Sequence, residues 1–240
     1  MIAIEGGIFD MGSNDYSSEQ PIHKVKLSDY WLGEYPVTQA VWEAVMGSNP
    51  SDFKRANRPV ENVSWEDIVH NFLPKLNKMT EGVRPAGTEY RLPTEAQWEY
   101  GARGGKYWAK HAFDYSGSDK LDEVGWYDNN SHNETKPVGL KTPNLLGVYD
   151  MSGNVWEWCS DKREGYSQNY EQVIKDSLKD PITGALVNPK GVREGTNRVR
   201  RGGGWFNYAE YCRPTYRFST TPAYRNNAIG FRLALFFSSV

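Results

Sequence analysis

Cysteine, histidine, aliphatic residues and long apolar runs are all scarce in this chain of 240 residues. With only Cys159 and Cys212, at most one disulfide can form, which excludes a cystine-stapled scaffold. His23, His70, His111 and His132 are scattered, so a zinc or iron centre has no ligand cluster to stand on. No apolar run approaches the roughly 20 residues of a bilayer span, so no transmembrane segment is expected. Met1 to Glu5 has no basic stretch followed by an apolar core, so no secretory signal is read from the sequence. Lys and Arg (28) nearly balance Asp and Glu (30), and the net charge of -2 argues against a dedicated nucleic-acid binder.

What the chain has instead is rings and turns. Nine Trp, fifteen Tyr and nine Phe accompany 23 Gly and 13 Pro. A core built from rings with polar tips, held between many turns, fits a loop-rich α+β domain. A doubly wound sheet would show Val/Ile/Leu runs instead.

Alternating apolar positions predict strands in the first 35 residues, at Ile4 to Met11, His23 to Leu27 and Tyr30 to Leu32. Three short helices are predicted, confined to the first 105 residues. One starts after Thr38 and stops at Gly47. A second starts at Ser64 and is kinked or shortened by Pro74. The third follows the capping box Thr94-Glu95-Ala96-Gln97. Residues 162–197, polar and rich in Lys, Asn, Gly and Pro, read as a surface insertion, a loop or loose hairpin. No linker separates two cores, so 1–240 is taken as one domain.

The segment from Arg198 to Arg232 differs from the rest. It holds seven of the chain's fourteen arginines and no lysine. Within it, Phe206 to Ala228 is 23 residues without Leu, Ile, Val, Met, Lys, Gln or Trp, so much of it is expected to face solvent or a ligand. Lys, Gln, Met, Trp and Glu supply 49 of the other 217 residues, so about five are expected in this window, and only Glu210 occurs. These five types share one property: no codon ending in a pyrimidine encodes them. The window is either a chance depletion or a stretch drawn from a restricted codon pool. Ile229 to Leu235 then has strand character and anchors the segment.

Gly6-Gly7-Ile8-Phe9-Asp10-Met11-Gly12-Ser13, Pro36-Val37-Thr38-Gln39, Arg91 to Tyr100 (RLPTEAQWEY), Gly147 to Trp158 (GVYDMSGNVWEW) and Arg201-Gly202-Gly203-Gly204-Trp205 resemble, in order, the formylglycine-generating-enzyme (sulfatase-modifying factor) domain. The resemblance runs from about residue 3 to 235 and implies a C-type-lectin-like fold with few helices and much irregular structure. The enzymes use a cysteine pair that holds copper. Cys212 matches the second cysteine, but Asn207 stands at the first, so this chain is not expected to be an enzyme of that type. The alternative is a sulfatase-maturation-type oxidase using Cys212 alone.

The tail, with Ala209, Cys212-Arg213, Arg217, Pro222, Arg225 and Ile229 to Ala234, is similar to the variable proteins of diversity-generating retroelements, of the Treponema type. In those proteins adenine-directed mutagenesis rewrites AAY-type codons between fixed residues, which leaves a restricted pool of amino acids. The resemblance implies a non-enzymatic, receptor-like binding protein exported to the cell surface. Its variable segment, about 198–235, would face an unknown protein or surface ligand.

Candidate binding residues are Phe206, Asn207, Tyr208, Glu210, Tyr211, Thr215, Tyr216, Phe218, Ser219, Thr220, Thr221, Ala223, Tyr224, Asn226 and Asn227. Tyr and Phe give large contact area at small rotamer cost, and Asn, Ser and Thr give adaptable hydrogen bonds. Several tyrosines pack inward instead if the core claims them. Arg201, Arg213, Arg217, Arg225 and Arg232 form either an anion patch or a scaffold. The scaffold is favoured, with Glu95, Glu99, Glu157 and Asp161 as partners. Asp150, Gly153, Val155 and Glu157 fall where the enzyme family binds calcium, an oxygen-seeking cation; a hydrogen-bonded turn is the other reading. No other cofactor is expected. Cys159 and Cys212 either pair or remain buried free thiols. Asp122-Glu123 and Glu66-Asp67 are read as solvated faces.

Overall fold

A computed structural model describes residues 1–165 and 168–237. In chain order the strands are β1 (Ile2–Ile4), β2 (Gly7–Met11), β3 (His23–Leu27), β4 (Tyr30–Leu32), β5 (Thr88–Arg91), β6 (Trp156–Arg163), β7 (Leu186–Val187), β8 (Asn197–Arg201), β9 (Arg217–Thr220), β10 (Ile229–Gly230) and β11 (Ala234–Phe237). The helices are α1 (Gln39–Met46), α2 (Trp65–Asp67), α3 (Leu73–Met79), α4 (Glu95–Ala102), α5 (Leu121–Val124) and α6 (Glu171–Asp176). The strands form three small sheets, ordered β1-β4-β11-β5, β10-β6-β8-β9 and β2-β3-β7. This is the α+β architecture expected.

The helix signals act where they were read. Thr38 accepts from the Val41 amide, and α1 ends at Gly47 in the left-handed region (φ 80°). Ser64 and Asp67 form a capping box, as do Thr94 and Gln97. Pro74 does not simply kink one helix. A single wide π turn, Ile68–Phe72, lies between α2 and α3, and Pro74 follows it in the first turn of α3.

Two expectations are corrected. Helices are not confined to the first 105 residues: α5 and α6 follow, too short to show a period in the sequence. Nor is 162–197 simply a surface loop. Tyr170, Val173, Leu186 and Val192 are buried in the main core, and β7 adds a parallel strand to β3. Its turn around Leu178 to Gly184 stands out into solvent, with Leu178 80% and Ile182 93% exposed.

Rings run through the interior among the aliphatic side chains. Trp42 stacks on Phe72 at 5.0 Å, and Phe72 meets Phe231 edge-on at 5.2 Å. Helix α4 is buried along its whole length and packs on β2, β3, β6 and β8. It therefore carries Glu95 and Glu99 into the interior, where such charges persist only if paired.

Candidate functional site

The 206–228 segment leaves β8 through three glycines. A Cβ on Gly203 would come within 2.7 Å of the Cys212 sulfur, and the residue is left-handed (φ 72°), so only glycine lets the chain turn this tightly over the thiol. The segment then makes a 3-10 turn at Ala209–Cys212, pairs as β9 with β8, and loops back through 221–228 into β10.

Buried arginines pin this path. Arg217 is clasped by both oxygens of Glu95, with Nε at 2.8 Å. Arg201 pairs with Glu99 and donates to the carbonyls of Thr215 and Tyr216 at 2.8 and 2.7 Å. Arg232 binds Glu157 through Nε and Nη2 at 2.7 and 2.8 Å and donates to the carbonyls of Gly33 and Tyr149. Burial pushes the Glu95 carboxyl up, but Arg217 and Arg201 outweigh it and hold it below the ordinary range. The arginines thus act as a scaffold. Asp161 is not one of their ion partners: it accepts from the Glu95 amide and the Ser160 hydroxyl, and burial, then Glu95, raises its carboxyl to about 7.

Three partners came from outside the expected set. Arg213 binds Glu19 (2.8 Å) and Asp15 (2.6 Å), which latches the 13–20 loop to the segment. Arg225 binds Asp67 through two bonds of 2.7 Å. Asp67 is half-buried between this pair and the Ser64 cap, so Glu66-Asp67 is not a purely solvated face.

On this frame the candidate binding residues divide. Phe206 (44% exposed), Tyr208 (66%) and Tyr224 (43%) project into solvent, and Glu210, Thr221 and Ala223 are also exposed. Tyr211, Tyr216 and Phe218 are half-buried in one ring cluster: Tyr211 meets Tyr216 edge-on at 4.9 Å, while Tyr216 and Phe218 lie 6.2 and 6.0 Å from buried Trp156. Thr215, Asn226 and Asn227 are half-buried at the margins.

Two candidates, Ser219 and Thr220, are corrected, and Asn207 is taken up in a turn. Ser219 is fully buried, since it shares the inward side of β9 with Arg217, and its hydroxyl donates to the Gly165 carbonyl at 3.1 Å. Thr220, opposite Arg198 in the ladder, is 8% exposed. Asn207 is half-buried, and its side-chain oxygen accepts from the Trp156 indole (2.8 Å) and the Gly204 amide (2.9 Å). It fixes the turn more than it displays a contact. The expectation that much of the aliphatic-free stretch faces outward does not extend to β9, which buries arginine and serine supported by ion pairs and hydrogen bonds.

Some surface residues were missed. Tyr16 packs edge-on against Tyr216 (5.6 Å), Phe53 against Trp205 (5.4 Å), and the Arg200 guanidinium lies near the Trp156, Phe218 and Tyr224 rings. Tyr16 and Phe53 come from distant loops with no local signal. Arg200 was legible only as the outward partner of buried Val199 and Arg201 in an alternating strand.

Cys159 and Cys212 are both buried free thiols. Burial pushes each thiol well above its ordinary pKa, away from the reactive thiolate. Asp150, at φ 55°, accepts from the Gly139 amide through Oδ2, while its buried Oδ1 has no hydrogen-bond partner among the described residues; burial raises its carboxyl to about 6. Glu157 is already bound by Arg232 and the Trp98 indole. No three His, Cys, Asp or Glu side chains converge as a metal site among the described residues. A cation here would rely on carbonyl oxygens beside Asp150, whose unpartnered oxygen fits a hard cation.

The protein is similar to the Treponema denticola variable protein 1, with 32% identity, a TM-score of 0.79, and coverage of 98% of this chain and 94% of that one. It is similar to the chaperone protein LppX of Paenibacillus barcinonensis, 38% identical over 66% of this chain and 70% of that protein. The formylglycine-generating enzyme of Thermomonospora curvata is 27% identical over 98% of this chain and 92% of the enzyme. These likenesses fit the mixed sheets, short helices and long loops of a C-type-lectin-like fold. The sulfatase-modifying factor enzyme 1-like domain matches residues 1–236. With its ordered motifs and its arginine-pinned tail, the chain belongs to the sulfatase-modifying factor enzyme 1-like domain family.

Proposed function

We propose that this is a non-enzymatic binding protein whose C-terminal segment, within a single display domain, is a diversified surface written by a diversity-generating retroelement. One observation carries the reading: along 206–228, arginines anchored by distant carboxylates alternate with rings that project outward. A backbone pinned this way tolerates exchange of the outward side chains without refolding. The similarity to the Treponema denticola variable protein 1 supports it. By the same resemblance the protein works at the cell surface on a protein or surface ligand. We also propose that Asp150 and Glu157, with the carbonyls of Gly153 and Val155, hold a calcium ion. It would stiffen a loop joined to the segment by the Gly153 amide bond to Gly202 and the Trp205 amide bond to Asn154.

The test compares genomic copies. Differences should concentrate at Phe206, Tyr208, Tyr211, Tyr216, Phe218, Thr221, Ala223 and Tyr224, with an adenine-rich template nearby, while Arg213, Arg217 and Arg225 stay fixed. Copies that vary no more in this window than elsewhere would sink the proposal. The second reading, an oxidase using Cys212, is favoured by the Thermomonospora curvata relative. It predicts oxygen consumption with a cysteine peptide, abolished in Cys212→Ser.

A further inference from the structure

We propose that a cleft bordering the 206–228 segment is a subsite for a cationic group on an apolar body, supplied as a lysine or arginine side chain of a protein partner. The inference rests on the binding reading above and deepens it by naming the partner's chemistry. The cleft, about 410 Å³, opens between the 12–15 loop, the 102–117 loop and Arg213 to Thr215. Thr215 belongs to the segment, so a partner seated on the exposed face can reach into the cleft.

Its wall is aromatic. Trp108, Phe113 and Tyr115 all line it and are all half-buried. Its charges are unequal in their compensation. The Arg103 guanidinium is held by Glu99 at 3.0 Å and by the Gly12 carbonyl at 2.7 Å. Arg213 is held by Glu19 and Asp15. Both cations of the cleft are therefore neutralised within the fold, and Asp15 is spent on one of them. Asp114 differs: it is exposed at the cleft, with no ion pair among the described residues, and its amide donates to Asp119, which brings a second carboxylate close by. His111 lies over Phe113 with ring centroids 6.0 Å apart.

An uncompensated carboxylate beside ring faces attracts a cation by charge and by the ring quadrupole, and disfavours an anion for the same two reasons. The rings and the flanking Ile22 and Leu145 take the apolar stem of such a side chain.

The full chain is titrated with benzamidine and with its neutral counterpart benzamide, followed by amide chemical shifts. Benzamidine is expected to bind saturably, with shifts confined to the 102–117 loop and its neighbours. Benzamide, and benzamidine against Asp114→Asn, should bind at least roughly tenfold more weakly, while Ile182→Ala, exposed and away from the cleft, should bind as the parent does. Absence of saturable benzamidine binding, equal binding of benzamide, or full binding by a folded Asp114→Asn overturns the proposal. None of these outcomes bears on whether the 206–228 segment is diversified. Conversely, invariant genomic copies would remove the diversification while leaving the cleft as measured.

Discussion

Arg217 sits in the middle of the segment that carries the exposed rings, yet its Nε and Nη2 are bound by the two carboxylate oxygens of Glu95, 122 residues earlier in the first turn of buried helix α4. Display and burial are thus interleaved residue by residue. Tyr216 and Phe218 on either side of Arg217 reach the surface cluster, while Arg217 and Ser219 point inward.

Arg217→Lys is expected to destabilise the fold by about 3–5 kcal/mol. A lysine cannot reproduce the bidentate bond, and Glu95 is left buried with incomplete compensation. Tyr208→Ser, on the exposed face, should change stability by no more than about 0.5 kcal/mol. Urea denaturation of the two variants measures both, and equal losses would contradict the division between frame and face.

Ser219→Tyr provides the converse check. Tyrosine is acceptable at the neighbouring exposed positions, but at a fully buried serine it forces overpacking, at a cost of about 1–3 kcal/mol or more. A thermal melt unchanged by this substitution would place Ser219 among the displayed residues after all.

Asp161 gives the fold a pH dependence of known sign. Its folded carboxyl titrates at about 7, above its value in the unfolded chain, so the native state binds the extra proton between about pH 4 and 7. Its contribution to stability is greatest at the acid end and is lost as pH rises through 7. Asp161→Asn keeps an acceptor for the Glu95 amide and should flatten that part of the stability curve, raising stability at pH 8 by as much as roughly 2–4 kcal/mol. Chemical denaturation at several pH values reads the slope, and an unchanged slope refutes the assignment.

The two thiols should resist modification. Cys159 and Cys212 are fully buried and held protonated, so a disulfide reagent should label neither in the native protein within minutes and both after denaturation. Prompt labelling of Cys212 would revive the oxidase reading.

Calcium should raise the melting temperature of the parent protein and leave Asp150→Ala unaffected, since the substitution removes the unpartnered buried oxygen. A melting curve identical with calcium and with a chelator shows that the Asp150 loop is held by hydrogen bonds alone.

Much of the scaffold was legible because its signals are local. The caps at Thr38, Ser64 and Thr94 set helix starts within three residues, and β2, β3 and β4 appear as alternation of apolar side chains. Helices α5 and α6 were not legible, because one turn or so of helix has no measurable period. The core contributions of Val173 and Leu186 were hidden for a related reason: single apolar residues in a polar stretch look the same whether buried or exposed.

By itself the sequence determined the family, through long ordered motifs, and the unusual chemistry of 206–228, through its depletion of whole residue types. Which of those side chains face outward was decided only by tertiary structure. Ion pairs spanning more than a hundred residues, Arg217 with Glu95 and Arg213 with Glu19, choose the inward side of the segment, and a charge finds its partner in space, where neighbours along the chain carry no record of it.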